Sequence, residues 1–373
     1  MISYPAQASI DLTAIRDNLD LVRESIDGQA VMAVVKADAY GHGRGPVAKA
    51  ALDRAEYLGA AQLGEAIELR GEVGPGPKIL AWIYGRDQSL DGALAADIEL
   101  SIGAPWAIDA LDEAVARTGI AARVHLKVDT GMARGGFNLG DIPDAARRLR
   151  RLEAEGKASV VGLWSHLARA DEPDCSLTAR QIAAFEQARH AARDVGLKLR
   201  ILHLANSAGA LWHPAARYDM VRPGIVMYGL SPNPEEATAR QMGLRAAMTL
   251  SASLIVDREV PAGTGISYGH TEVTESDGRL GVVPLGYGDG IPRAASSRAP
   301  VSIGGVRTPI RGRVCMDQFV VGLPSGAAAG DAVDLFGDGE SLPTADEWAQ
   351  ACGTIGYEIV TRLGPRVPRR YHG

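Results

Sequence analysis

From about residue 10 to about residue 235 the chain repeats one pattern: a short apolar run, an amphipathic stretch, then another short apolar run. Strands separated by crossover helices must lie parallel, because each helix returns the chain to the same edge of the sheet before the next strand begins. The strand-like runs are Ala30 to Val35, Lys78 to Ile83, Ile98 to Ile102, Arg123 to Val128, Ser159 to Trp164, Leu199 to Leu204, Met220 to Val221 and Ile225 to Tyr228. Of the helical stretches between them the clearest is Ser176 to Val195, where Thr178 and Gln181 have capping-box spacing, Ile182 and Phe185 share a face, and Gly196 can end the helix. Arg147 to Glu155 reads as an exposed, charged helix. Seven or eight βα units in roughly 225 residues point to a closed (β/α)8 barrel of the TIM type rather than an open doubly wound sheet. No Gly-x-Gly-x-x-Gly follows the first run.

After the polar stretch Ser231 to Glu236 the runs shorten and are broken by Gly, Pro and Asp. Leu250 to Val256, Leu280 to Leu285, Val301 to Ile303, Phe319 to Val321 and Ala332 to Phe336 read as antiparallel strands, with helices expected over Thr344 to Ala351 and after Thr354. The expected division is a barrel over 1–235 and a mainly-β domain over 236–373. A net charge of −6 speaks against blanket binding of polyanions such as nucleic acid. The apolar runs fall short of the roughly 20 residues that span a bilayer. Met1 to Ser9 is mild and Asp11 interrupts any apolar core, so no export signal is read. Three well-separated cysteines, Cys175, Cys315 and Cys352, suggest neither a disulfide framework nor a metal cluster, and a reducing cytoplasm is expected.

Barrels of this type place their chemistry at the C-terminal ends of the strands. The first run delivers Lys36, followed by Ala37-Asp38-Ala39-Tyr40-Gly41-His42-Gly43; a later one encloses Lys127 and delivers Asp129-Thr130-Gly131-Met132-Ala133-Arg134. Further on come His166, then His203 with Asn206 and Ser207, then Arg222-Pro223-Gly224. A lysine leaving an apolar strand is either a desolvated amine able to form a Schiff base or an ordinary solvent-facing strand end, and Lys36 alone leaves both open. Asn206 fits a helix cap. His42, His125, His203 and His213 show no metal-ligand spacing and are read as structural.

Taken together these segments resemble the alanine racemase family over nearly the whole chain. Val34-Val35-Lys36-Ala37-Asp38-Ala39-Tyr40-Gly41-His42-Gly43 is similar to the family's pyridoxal phosphate attachment motif, and Lys127 to Gly136 to its second signature. Arg222-Pro223-Gly224-Ile225 with Tyr228-Gly229, Gly265 to Gly269, Gly286 to Gly290 and Arg313 to Asp317 match later motifs in the family's order.

The resemblance implies a pyridoxal 5'-phosphate enzyme, built as a barrel plus a β domain, in which each active site of a head-to-tail homodimer borrows residues from its partner. Racemisation needs a proton removed from one face of the α-carbon and delivered to the other, so two acid/base groups must flank it. By resemblance these are Lys36, which also attaches the cofactor, and Tyr268 from the partner subunit, with His166 supporting the phenol. Arg222 would face the pyridine nitrogen and, as a donor-only group, disfavour its protonation, which favours racemisation over decarboxylation. Ser207, Gly224 and Ile225, with the hydroxyls of Tyr40 and Tyr357, would hold the phosphate.

Arg134 and the backbone of Met316 would meet the substrate carboxylate, and Asp317 would order the Met316 loop. Lys127 matches a lysine that several relatives carbamylate; the alternative is a plain lysine paired with Asp129. Cys315 is read as a small buried thiol inside its motif, and Trp82 as a residue able to wall the cofactor. The function expected is interconversion of L- and D-alanine, supplying D-alanine for peptidoglycan. A serine or broad-spectrum racemase, a barrel-type amino-acid decarboxylase and a non-catalytic cofactor carrier are the competing readings.

Overall fold

Eight strands whose side chains are buried on both faces need helices on the outside and each other on the inside, and that requirement shapes the larger part of the chain. The computed structural model describes residues 4–373 and divides into two compact units. One comprises Leu19–Ala39 and Val47–Met227; the other comprises the chain up to Asn18, Tyr40–Pro46 and Tyr228–Gly373.

The first strand, β1 (Ala6–Asp11), belongs to the second unit. The first unit holds β2 (Ala30–Val34), β3 (Tyr57–Gln62), β4 (Lys78–Ile83), β5 (Glu99–Ile102), β6 (Ala122–Lys127), β7 (Ala158–Trp164), β8 (Ile201–His203) and β9 (Met220–Val221). They form one parallel sheet in the order β8-β7-β6-β5-β4-β3-β2-β9. The sheet is nearly closed: the Asp219 N–H donates to Leu202 O at 3.0 Å and the Arg222 N–H to Ala205 O at 3.0 Å, joining the segments of β8 and β9.

Inside, Met32, Tyr57, Leu80 and Met220 pack into one buried layer. Gly162 in β7 lets β8 approach, since a Cβ there would lie 2.1 Å from Ile201 O. The helix Ser176–Asp194 buries Phe185 against Tyr218, with ring centroids 4.9 Å apart.

The second unit continues with β10 (Met248–Ser253), β11 (Val256–Val260), β12 (Gly265–Ile266), β13 (Glu272–Val273), β14 (Gly278–Val283), β15 (Pro300–Ile303), β16 (Val306–Arg311), β17 (Phe319–Gly322), β18 (Ala332–Phe336) and β19 (Arg369–His372). Nine of these unit-two strands make one sheet in the order β11-β14-β17-β16-β15-β18-β10-β1-β19. Here β1 pairs antiparallel with β10, Ala6 opposite Ala252, and parallel with β19, Ala8 opposite Arg369. The helix Ala345–Cys352 starts at a capping box in which the Thr344 side chain accepts from Glu347 N–H and Glu347 from Thr344 N–H.

Four sequence expectations change. β1, absent from the expected strands, groups with the second unit, because it pairs antiparallel with β10 and buries Ala6, Ala8 and Ile10 on one face. Ile225–Tyr228 is a 3-10 turn rather than a strand. The barrel gains β3, whose Gly-Ala-Ala composition concealed it. Thr178 and Gln181 do not cap their helix, which begins at Ser176 after Cys175; both are buried inside it. We expect Gly162→Ala to destabilise the protein by about 1–3 kcal/mol, because backbone rather than a flexible side chain must move; urea unfolding at fixed ionic strength measures it.

Candidate active site

The end of β2 runs directly into a left-handed turn. Ala37, Asp38, Ala39 and Tyr40 have φ of 52–54°, a conformation that L-residues with a Cβ adopt at a cost of roughly 1–2 kcal/mol each. The Ala39 N–H donates to Val35 O at 2.9 Å, which closes the turn around Lys36. Lys36 is half-buried, and its amine is lowered from the usual lysine range by burial and then by Arg134, with Glu65 opposing and Arg222 adding a lesser lowering.

The end of β6 delivers Lys127, whose Nζ sits 4.5 Å over the Trp164 ring. Burial, Arg134 and Arg222 pull that amine down to about 8, while Asp129 acts in the other direction. Lys127 is not paired with Asp129, whose Oδ1 accepts instead from the Gly131 and Met132 N–H groups at 2.9 and 2.8 Å. Arg134 itself is exposed.

Arg222, 5% exposed, is the most constrained cation. Its Nη2 donates to Ser165 O at 2.8 Å and Leu204 O at 3.0 Å and lies 3.4 Å from His166 Nδ1; its Nη1 lies 3.3 Å from His203 Nδ1. Its guanidinium stands 5.1 Å from the Trp164 ring, on which His203 also stacks. Burial pulls Arg222 down to about 9, leaving it charged at neutral pH.

His166 follows β7. Burial, then Arg222, Arg134, Lys36 and Lys127, hold its imidazole well below its ordinary value and hence neutral. Nδ1 faces the donor-only Arg222 Nη2 at 3.4 Å, so the proton of the neutral ring belongs on Nε2. Ser207, the first residue of the helix Ser207–Trp212, accepts at Oγ from the Gly224 N–H at 2.9 Å, so these two residues and Ile225 form one buried turn. Asn206 caps that helix through Gly209 N–H, as its position in the sequence indicated.

Lys36, Lys127, Arg134, Arg222, His166, Ser207, Gly224 and Ile225 thus all belong to the first unit, at the C-terminal strand ends. The other candidates lie in the second unit. Tyr40 is buried and stacks on Tyr228 at 4.7 Å, with Tyr357 6.2 Å from it. Tyr268 and Met316 are exposed, at 71% and 55%. Asp317 pairs with Arg366, which also holds Asp289, and the Gly288 N–H donates to Met316 O at 2.8 Å, so the Met316–Asp317 segment is anchored to the Tyr287–Asp289 turn. Cys315 is half-buried with Sγ 3.3 Å from Ser267 Oγ. Trp82 packs edge-on against Trp164 rather than standing alone.

Sequence reasoning missed Gln181, Trp164 and His203. Gln181 donates to His166 O and Thr130 Oγ1 and accepts from Ala168 N–H, which fixes the segment carrying His166. Trp164 lies beneath both Lys127 and Arg222, its indole N–H held by Ser101 Oγ at 2.9 Å. His203, read as structural, touches Arg222 directly. A histidine closing a barrel strand, just before the turn that carries Asn206 and Ser207, was the available signal.

Both parts of the chain match models of one family: alanine racemase, N-terminal domain, over residues 10–232, and alanine racemase, C-terminal domain, over 247–371. The chain belongs to the alanine racemase family. It is 52% identical to an alanine racemase of Beutenbergia cavernae over all of this chain and 99% of the relative, and 50% identical to one of Thermobifida fusca over 99% and 98%. Among solved structures, the alanine racemase of Streptomyces lavendulae superposes with a TM-score of 0.97 at 44% identity, covering 100% of this chain and 98% of that one. That of Streptomyces coelicolor gives 0.96 at 47% identity, with 98% of each covered. Racemase function, an isomerase activity on an amino acid, is that of the chain; the decarboxylase and carrier readings find no support among these relatives. No helix among the described residues is long and apolar enough to cross a membrane.

Because the folded state depresses Lys127 from 10.5 to about 8, the unfolded chain binds more protons than the folded one between those values, and stability should rise with pH there. Lys127→Met should therefore raise the Tm of cofactor-free protein below pH 8 in bicarbonate-free buffer, and that advantage should shrink from pH 8 to 10.5. Differential scanning calorimetry of both proteins across the range measures it.

Proposed function

We propose that this chain interconverts L- and D-alanine with pyridoxal 5'-phosphate, using Lys36 and the partner subunit's Tyr268 as its two acid/base groups. The observation that carries the reading is the convergence of Lys36, Lys127, Arg134 and Arg222, each of the two lysines depressed by the two arginines, around a neutral His166. Such an excess of positive charge calls for anions, and a phosphorylated cofactor with an amino-acid carboxylate supplies them. The donor set fits the cofactor: a lowered amine to attach it, a donor-only guanidinium for its ring nitrogen, and the Ser207–Gly224–Ile225 turn for its phosphate. When bound, it supplies the electron withdrawal that makes the α-hydrogen acidic.

The residues do the rest. Lys36, its amine lowered from the lysine range by burial and by Arg134, would exchange a proton at the α-carbon on one face. A phenol with a reference pKa of about 10 needs its anion stabilised to act as a base, and the His166 Nε2–H is the donor that would do so. Arg222, held by two backbone carbonyls, disfavours a proton on the ring nitrogen, which limits side reactions and leaves return of the proton as the main outcome. Arg134 meets the carboxylate, and Lys127, with an amine near 8, is available to react with carbon dioxide and become an anionic carbamate that positions Arg134. Exposure of Tyr268 and Met316 supports their use by a partner copy in a homodimer, with Asp317 anchoring the Met316 loop. The cytoplasm, and supply of D-alanine for peptidoglycan, complete the reading.

Chiral chromatography of L-alanine incubated with the purified protein should show D-alanine, and borohydride should fix the cofactor's absorbance on Lys36. Lys36→Ala and Tyr268→Ala should each lose on the order of 10²–10⁴ in kcat. Mixing the two inactive variants should restore part of the activity, because one hybrid site receives both native residues. Absence of D-alanine from the wild-type reaction would overturn the function, and failure of the mixture to recover activity would overturn the shared site.

A further inference from the structure

A file of polar side chains runs through the barrel core to Arg222. Glu99 opens β5, His125 lies within β6 and His203 ends β8, and all three are 1% exposed or less. His125 Nε2 lies 2.8 Å from Glu99 Oε2, His125 Nδ1 lies 2.9 Å from His203 Nε2, and His203 Nδ1 lies 3.3 Å from Arg222 Nη1. At the far end, Arg123 Nε donates to Glu99 Oε1 at 2.9 Å and the half-exposed Arg123 reaches Asp97 near solvent.

The two ends dictate the direction of every bond between them. A guanidinium only donates, so His203 Nδ1 must accept. Its proton then sits on Nε2 and is given to His125 Nδ1; the His125 proton in turn sits on Nε2 and is given to Glu99, an acceptor when ionised. Glu99 stays ionised because, although burial pushes its carboxyl up, the hydrogen bonds and charges of His125 and Arg123 outweigh that and hold it below the usual range. Burial, with His125 and Arg222 beside it, holds His203 well below its ordinary value and so neutral. A doubly protonated His125 would make His203 accept at Nε2 and carry its proton on Nδ1, donor against donor at Arg222. Stacking of His203 on Trp164, with an interplanar angle of 2°, keeps the ring from turning to escape that conflict.

We propose that Glu99 and His125 are positioning residues for racemisation: they lock His203 as an acceptor toward Arg222 and thereby hold the guanidinium as an oriented donor. The catalytic consequence rests on the proposed placement of Arg222 at the cofactor's ring nitrogen; the order of the protons does not.

Magic-angle-spinning ¹⁵N spectra of the full-length protein labelled at histidine read the tautomers directly, with His125 and His203 assigned by signal loss in single variants. Both should be neutral with the proton on Nε2. Glu99→Gln keeps an acceptor oxygen, so both tautomers should persist and kcat should stay within about threefold of wild type. His125→Phe removes the acceptor and leaves the His203 Nε2–H buried without a partner while Arg222 still requires Nδ1 to accept, so the His203 ¹⁵N signals should shift and broaden as the ring loses its fixed position, and kcat should fall on the order of tenfold or more with KM little changed. A wild-type His203 protonated on Nδ1, a doubly protonated His125, or a His125→Phe variant with unchanged His203 signals and kcat within about threefold of wild type would overturn the proposal, as would a Glu99→Gln variant as damaged as His125→Phe. Should His125→Phe not fold, the wild-type spectrum decides alone. A wild-type protein inactive toward alanine would overturn the reading of the site, while the spectra would still decide the tautomers.

Discussion

Positive charges gathered where water is scarce repel one another, and the first unit is organised around making that tolerable. Lys36 and Lys127 are both lowered by burial and by Arg134 and Arg222, and around Arg222 the fold places neutral partners rather than carboxylates. Two backbone carbonyls take the Arg222 Nη2 hydrogens, an indole face lies beneath both Arg222 and Lys127, and the neutral His203 accepts from Nη1 with the neutral His166 beside Nη2. Carboxylates on the cations would have saturated the site. Neutral acceptors orient the cations and leave their charge for an incoming anion.

That arrangement explains why the strands had to be placed so exactly. Ser165 and His166 follow β7, His203 ends β8 and Arg222 follows β9, so all the partners of one guanidinium come from neighbouring staves of the barrel. The close approach at Gly162 brings β7 and β8 together just before those residues. The backbone bond from Val34 N–H to Pro223 O, at 3.0 Å, ties the strand carrying Lys36 to the turn after Arg222. Packing and chemistry are therefore one constraint here, since displacing a strand would move an acceptor away from its cation.

Much of this was legible in the order of residues. The βα alternation gave the barrel, and the polar harvest after each apolar run gave Lys36, Lys127, Arg134, His166 and Arg222, because strand ends are local and catalytic residues collect there. What was hidden depends on encounters between distant segments. β1 reads as a weak alternation of Ala with Gln and Ser, and only its pairing with β10 makes it a strand. Ala37 to Tyr40 contains no glycine, so nothing local signals four residues in the left-handed region. His125 and His203 are 78 positions apart and have no spacing to reveal that they touch. Gln181 looked like a cap because its spacing fits one, whereas its partners Thr130, His166 and Ala168 become neighbours only once the barrel forms.

The placement of β1 also bears on how the molecule is made. β1 lies between β10 and β19, with Ala8 matched to Arg369. A ribosome delivers it hundreds of residues before either neighbour, so during synthesis its hydrogen-bonding groups wait while all the barrel strands emerge. The barrel strands find their neighbours in near-sequential order, whereas the β sheet must close a loop spanning almost the entire chain before its early strand is covered on both edges. Vectorial synthesis thus makes the second unit the late-assembling one, although its β1 is translated ahead of every barrel strand.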